Sequence, residues 1–199
     1  CSVAIMCYAS DYNGLITSMW VEGGAIHMWM QAIAGSKICA DGQRYIANPG
    51  VLGCPSTEYY LQDFTIDISN VDNYGYAMYD PDAIDPAPCK ASYKSTVLSP
   101  TIVWYYHVLS KVPSPTSIVM LADSAIAPNF NLKGRMIGNF RAKWTSNYGG
   151  RIRLIHSKRN AVHSYFDGHV DSLGSKDLYN NTISKCSYFF AYDMTPFNY

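Results

Sequence analysis

The sequence predicts an α+β fold: the end of a long N-terminal helix packed on an antiparallel β-sheet, with a disulfide-stapled loop region. Three observations carry that expectation. Cys1-Ser-Val-Ala-Ile-Met-Cys-Tyr-Ala-Ser10 reads as a helix already under way, with no Ser, Thr, Asp or Asn cap ahead of its apolar stretch. Residues 161–166 and 169–173 flank Asp167-Gly168, a strong hairpin signal because a type I′ turn needs positive φ at both central positions. Cys39 and Cys54 enclose a short loop containing Gly, Asn and Pro, and closing a loop of that size stabilises by roughly 3 kcal/mol in the chain-entropy model.

Taken in order, the opening helix should close at Asp11-Tyr-Asn-Gly14, where Asp and Asn favour turns and Gly14 can adopt the left-handed conformation. Residues 1–14 are then the helix end with its exit turn, and 15–199 form a globular head. A second helix is predicted over 24–34, because Ile26, Trp29, Met30 and Ile33 recur at helical spacing. Phe64, Ile66 and Ile68 alternate with Thr65 and Asp67 as a strand would. The prolines of residues 80–89 predict an irregular segment, with a surface insertion near 80–100.

Residues 101–109 are β-branched and aromatic, and periodicity leaves strand and buried helix open. Residues 117–122 predict an interior strand that Asp123 ends. Arg151-Ile-Arg-Leu-Ile155 alternates charged and apolar side chains, as an edge strand with one wet face would.

Fifteen basic residues balance fifteen acidic ones, so no basic stripe exists for nucleic acid and no cationic face for anionic lipid. Charged residues make up only 15% of the chain whereas Tyr alone numbers 17, and so little charge points to burial against neighbouring subunits. The six cysteines lack the Cys-x-x-Cys spacing of structural zinc sites, which favours disulfides and an oxidising compartment. Cys1 and Cys7, on one helix, are too far apart to bridge each other. With Cys39 and Cys54 paired, Cys89 and Cys186 remain as the second pair. No apolar run is long enough for a membrane span, and a segment upstream of Cys1 is expected to have been removed or left out.

Five pieces in order resemble a large bacterial family of type IV pilin-like proteins, the pseudopilins with a prepilin-type N-terminus and a C-terminal His-x(about 9)-Asp-Gly signature. Tyr8-Ala-Ser-Asp11-Tyr-Asn-Gly14 is similar to that family's helix-exit motif, Cys54-Pro55-Ser56 to its Cys-Pro-Ser, and Tyr74-Gly-Tyr-Ala-Met78 to its aromatic-Gly segment. Residues 115–124, with Asp123, resemble its Pro-Ser strand. His156 to Asp167-Gly168 resembles the terminal signature, with ten residues rather than nine between His156 and Asp167.

The resemblance implies a non-enzymatic structural subunit of an extracellular filament of the type IV pilus or type II secretion pseudopilus kind. It implies an upstream hydrophobic helix, cleaved by a prepilin peptidase, as the one link to the membrane. Location would be the cell surface or exterior of a bacterial envelope. Partners would be copies of the chain in a helical polymer, together with other pilin-like subunits and an assembly machinery.

Rival chemistries were weighed against this. His156, His163, Asp167, His169 and Asp171 crowd one stretch, the residue types that ligate zinc, but alternation along a hairpin sends them to opposite faces, so no catalytic metal is expected. No cofactor is expected either. Calcium is the ion best suited to the acidic turns at Asp11, Asp63, Asp67, Asp72, Asp80 and Asp82, although none has EF-hand spacing and Asx turns account for them. Gly-x-Ser-x-Gly and phosphate-binding glycine loops are absent. An adhesin or carbohydrate-binding head, stacking sugars on Trp20, Trp29, Trp104 and Trp144, is the alternative to a filament. Acylation of Cys1 as a lipoprotein conflicts with a helix that starts at once.

Overall fold

This computed structural model describes residues 1–34, 44–47, 49–52, 76–81, 85–125, 139–142, 150–157, 159–191, 193 and 195–199. The chain is mostly β. Helix α1 (Ser2–Asp11) leads into a hairpin of β1 (Leu15–Glu22) and β2 (Ala25–Met28), followed by the five-residue α2 (Trp29–Ile33). Next come β3 (Tyr76–Tyr79), α3 (Ala87–Ala91), β4 (Tyr93–Ser99) and β5 (Ile102–Val108). Then follow β6 (Val119–Ala125), β7 (Asn139–Phe140), β8 (Arg151–Arg153), β9 (Asn160–Tyr165), β10 (Val170–Gly174), α4 (Ser175–Asn180), β11 (Tyr188–Phe190) and β12 (Pro196–Asn198).

Two sheets result. The first is antiparallel, in the order β2-β1-β5-β4; the second is mixed, in the order β10-β9-β6-β8-β11-β12, with β3 on β6 and β7 on β3. Strand β6 is the spine of the second sheet, pairing with β9, β3 and β8. All seven of its residues are buried, which is why it reads as a nearly unbroken apolar run instead of an alternating one.

The two sheets meet at His107. This β5 imidazole is fully buried, its Nε2 lies 3.0 Å from the Tyr79 carbonyl oxygen of β3, and its ring packs 4.9 Å from that of Phe166 beyond β9. A carbonyl only accepts, so Nε2 carries the proton and donates, and Nδ1 accepts from the Ser92 hydroxyl at 3.2 Å. Burial lowers the His107 pKa to about 4, so the ring is neutral at physiological pH.

Helix α1 lies over this core through buried Ile5, Tyr8 and Ala9, with half-buried Ala4 and Met6 packed beside them. The Tyr8 hydroxyl is 2.7 Å from Thr17 Oγ1, which also accepts from the Trp104 indole at 3.0 Å. One helix side chain is thereby tied to both central strands of the first sheet.

Several expectations are corrected. The predicted α+β, pilin-like fold with the end of a long helix is replaced by two sheets with short helices only; α1 has ten residues. The helix expected over 24–34 begins as β2, because Gly23 and Gly24 both have positive φ and close a two-residue hairpin with Glu22 opposite Ala25. Asp123 lies inside β6 and does not end it. Strand β8 is interior, between β6 and β11, and Arg151 is buried with its guanidinium over the Tyr188 and Phe190 rings at 5.5 and 5.1 Å.

No disulfide occurs among the described residues: Cys89 and Cys186 are both buried thiols, and burial pushes the Cys186 thiol pKa up, holding it protonated. They serve as small core side chains. Cys1 and Cys7 are thiols on or beside α1. Cys39 and Cys54, the expected staple, lie outside the described residues, as do the strand expected through Phe64, Ile66 and Ile68 and the calcium-turn candidates Asp63, Asp67, Asp72 and Asp82.

Because the folded chain keeps His107 neutral while the unfolded chain protonates it near pH 6.5, the unfolded state binds more protons between these values, and stability falls as pH drops from 6.5 towards 4. The full loss from this group is roughly 3 kcal/mol. Urea unfolding across that range should show it, and His107→Gln, which retains a donor towards Tyr79, should flatten the slope. An equal slope in wild type and variant would show that His107 does not carry the effect.

Candidate functional site

Four of the residues singled out in the sequence, Asp123, His156, Asp167 and Gly168, gather around β6 and β9. Asp123, 2% exposed, points its Oδ2 at two donors: the Val162 amide of β9 at 2.7 Å and His156 Nε2 at 3.1 Å. His156 in turn closes a short loop, its amide donating to the Asn160 carbonyl and its carbonyl accepting from the Arg159 and Asn160 amides. The hydrogen bond to Asp123 raises the His156 pKa above the ordinary histidine value against an opposing effect of burial. Asp123 and His156 together fix where β9 starts, since a buried carboxylate needs donors and a strand edge supplies one.

Asp167 and Gly168 form the connection between β9 and β10, with a geometry different from that expected. Only Gly168 has positive φ, at 91°. The Gly168 amide donates to the Tyr165 carbonyl and the Tyr165 amide to the His169 carbonyl, a three-residue type of turn followed by a left-handed glycine and not a type I′ pair. Asp167 Oδ1 accepts from the backbone amide and Nδ1 of His169, which fixes the turn locally. Gly168 also sits under α1, where an added Cβ would meet Met6 at 3.7 Å.

At the other end of α1, Asp11 accepts from the Tyr45 hydroxyl at 2.8 Å. Asn13 and Gly14 both take positive φ, and the Gly14 carbonyl accepts from the Leu109 amide, so the exit turn is joined to the end of β5. Tyr8 is in the core as described. Cys54 and Pro55 lie outside the described residues.

Among the described residues no three His, Cys, Asp or Glu side chains are placed to hold one metal ion. His156 turns to Asp123, His163 is buried with Nε2 3.0 Å from the Tyr165 hydroxyl, and His169 stacks on the Tyr165 ring at 4.0 Å on the exposed turn. Asp171 lies on the exposed edge strand β10. Of the aromatic platform suggested for sugars, Trp20 and Trp29 are 1% exposed, Trp104 is half-buried with its indole N–H used, and Trp144 lies outside the described residues. Burial removes the first two as stacking faces.

Two features were not read from the sequence. One is His107, a lone histidine in an apolar aromatic run whose role depends on a strand far away in sequence. The other is the outer edge of β4, which among the described residues has a partner, β5, on one side only. Five of its seven residues are exposed, among them Val97 at 69% and Leu98 at 58%. The register continues an apolar row across the whole first sheet: Ile26 opposite Val21, Val21 opposite Val103, Val103 opposite Val97.

Comparison with known proteins finds no family model, no curated protein and no solved structure that matches the chain.

Asp123→Asn removes the charge that holds the His156 proton. The imidazole titration of His156, followed by NMR, should move down towards the ordinary histidine value, and stability should fall by about 1–3 kcal/mol. For this pair the linkage runs opposite to that of His107: a raised histidine pKa gives stability that is full below the unfolded value and lost as pH rises through the folded one. An unmoved His156 titration in the variant would show that Asp123 does not hold the proton.

Proposed function

We propose that this chain is a structural subunit that associates with copies of itself in an extracellular filament of the pilus-like or secretion-pseudopilus-like kind. The outer β4 edge, unpaired among the described residues, carries the proposal. An uncovered edge strand offers a row of backbone donors and acceptors that a second strand satisfies, and monomeric proteins blunt such edges with charge, proline or bulges. Strand β4 contains one charged residue, Lys94, and no proline, with a single register irregularity between Val97 and Ser99.

A second copy suits this edge. In an antiparallel self-pair centred on Thr96, Lys94 falls opposite Leu98 and Ser95 opposite Val97, so no like charges meet across the pair. The apolar row ending at Ile26 and Val97, 52% and 69% exposed, gives the neighbouring subunit hydrophobic surface to cover. The low charge of the whole chain agrees with a surface meant to be buried by assembly. The signature residues fit the same reading, because Asp123, His156, Asp167 and Gly168 are engaged in holding strands and turns.

Electron microscopy of the native protein recovered from the cell exterior should show regular fibres of this subunit. Val97→Lys combined with Leu98→Lys places new charges on exposed positions and should leave the monomer folded by circular dichroism, while weakening assembly roughly tenfold or more, about 1.4 kcal/mol per contact. A wild-type protein that stays monomeric would contradict the proposal.

A further inference from the structure

A second surface feature lies away from the β4 edge, where the His156 loop meets the start of α4. Leu154, Arg159, Asn160, Ser175 and Lys176 line an open hollow of about 440 Å³ with Gly174 at its side. That volume falls within the range of small-ligand sites, roughly 300–1,000 Å³. Both cations are exposed. Neither makes an ion pair among the described residues, and no Asp or Glu is among the described residues that line the hollow. Two cationic residues lining one concavity, with no carboxylate among its described lining, raise the local potential and favour an anion there.

The backbone that carries the Arg159 side of the hollow is held in place. Arg159 stands on the loop closed by the His156 and Asn160 backbone pair, and that loop is anchored through His156 to buried Asp123. Asn160 donates to the Ser172 carbonyl of β10, which fixes its side chain. Gly174 allows the loop to approach closely, since a Cβ there would meet the Arg159 carbonyl and Asn160 Oδ1, each at 3.4 Å.

We infer that this hollow binds the oxyanion of a small hydroxylated ligand, an acidic sugar unit being the simplest such molecule. Arg159 and Lys176 receive the carboxylate or sulfate, a guanidinium being able to grip it with two parallel N–H bonds. Ser175 and Asn160 serve ring hydroxyls, and Leu154 underlies the apolar ring edge. The site goes beyond the filament role and does not depend on it: a filament subunit without this site, or a monomer with it, are distinguishable outcomes.

The test is NMR titration of the 199-residue chain with glucuronate, glucose and sodium sulfate, each at equal ionic strength. Glucuronate should give saturable shifts confined to residues around Arg159, Asn160, Ser175 and Lys176, and glucose should give none. Arg159→Gln and Lys176→Gln should each weaken glucuronate binding about tenfold, the size of one charge-assisted contact of about 1.5 kcal/mol. Lys111→Gln, an exposed cation elsewhere, should leave it unchanged. Sulfate binding as strong as glucuronate binding would overturn the sugar assignment, and shifts that persist in the two glutamine variants would overturn the site.

Discussion

The neutral imidazole of His107 is the constraint on which the two-sheet arrangement rests. It belongs to β5 in the first sheet, yet its donor is spent on a carbonyl of β3 in the second and its ring on Phe166 next to the hairpin. A buried carbonyl without a donor would cost the full desolvation of that group, whereas an apolar side chain at this place would satisfy neither Tyr79 nor Ser92. Strand β5, which carries His107, pairs on its other side with β4, whose outer side has no partner among the described residues. The strand that carries the joint is therefore also the one on which the surface proposed for assembly is paired.

A second histidine works in the opposite sense. His156 is stabilised as the cation by Asp123, and His107 is stabilised as the neutral ring by burial. Both act on β6 and its neighbours, so acid weakens the joint between sheets while alkali weakens the anchor of the β9 loop. Between them the fold is best held at intermediate pH, which is the ordinary result when buried groups of opposite preference are combined.

The local parts of this structure were legible and the long-range ones were not. The exit of α1 at Asp11-Tyr-Asn-Gly14 and the turn at Asp167-Gly168 carry their own backbone chemistry, so residue types alone place them. The turn subtype was misjudged because the pairing of Tyr165 with His169 across the turn decides whether one or two residues need positive φ. The Gly23-Gly24 hairpin had a sequence signal, two adjacent glycines after a β-branched run, but the helical spacing of Ile26, Trp29, Met30 and Ile33 competed with it. That spacing arises by coincidence, with Ile26 on a strand and the other three on the short helix after it.

Arg151 read as an edge residue because alternation of charged and apolar side chains usually marks a wet face. Its burial depends on Tyr188 and Phe190, supplied by a strand nearly forty positions later. The Asp123–His156 pair shows the same limit: both residues stood out in the sequence, but nothing local said that they would meet. The measurement that tests the central claim most directly is long-range nitrogen NMR of the His107 ring from neutral pH down to pH 4.5. A ring that stays neutral with its proton on Nε2 throughout most of that range is the predicted result. A ring that titrates near the free-histidine value of about 6.5 would contradict the joint between the sheets.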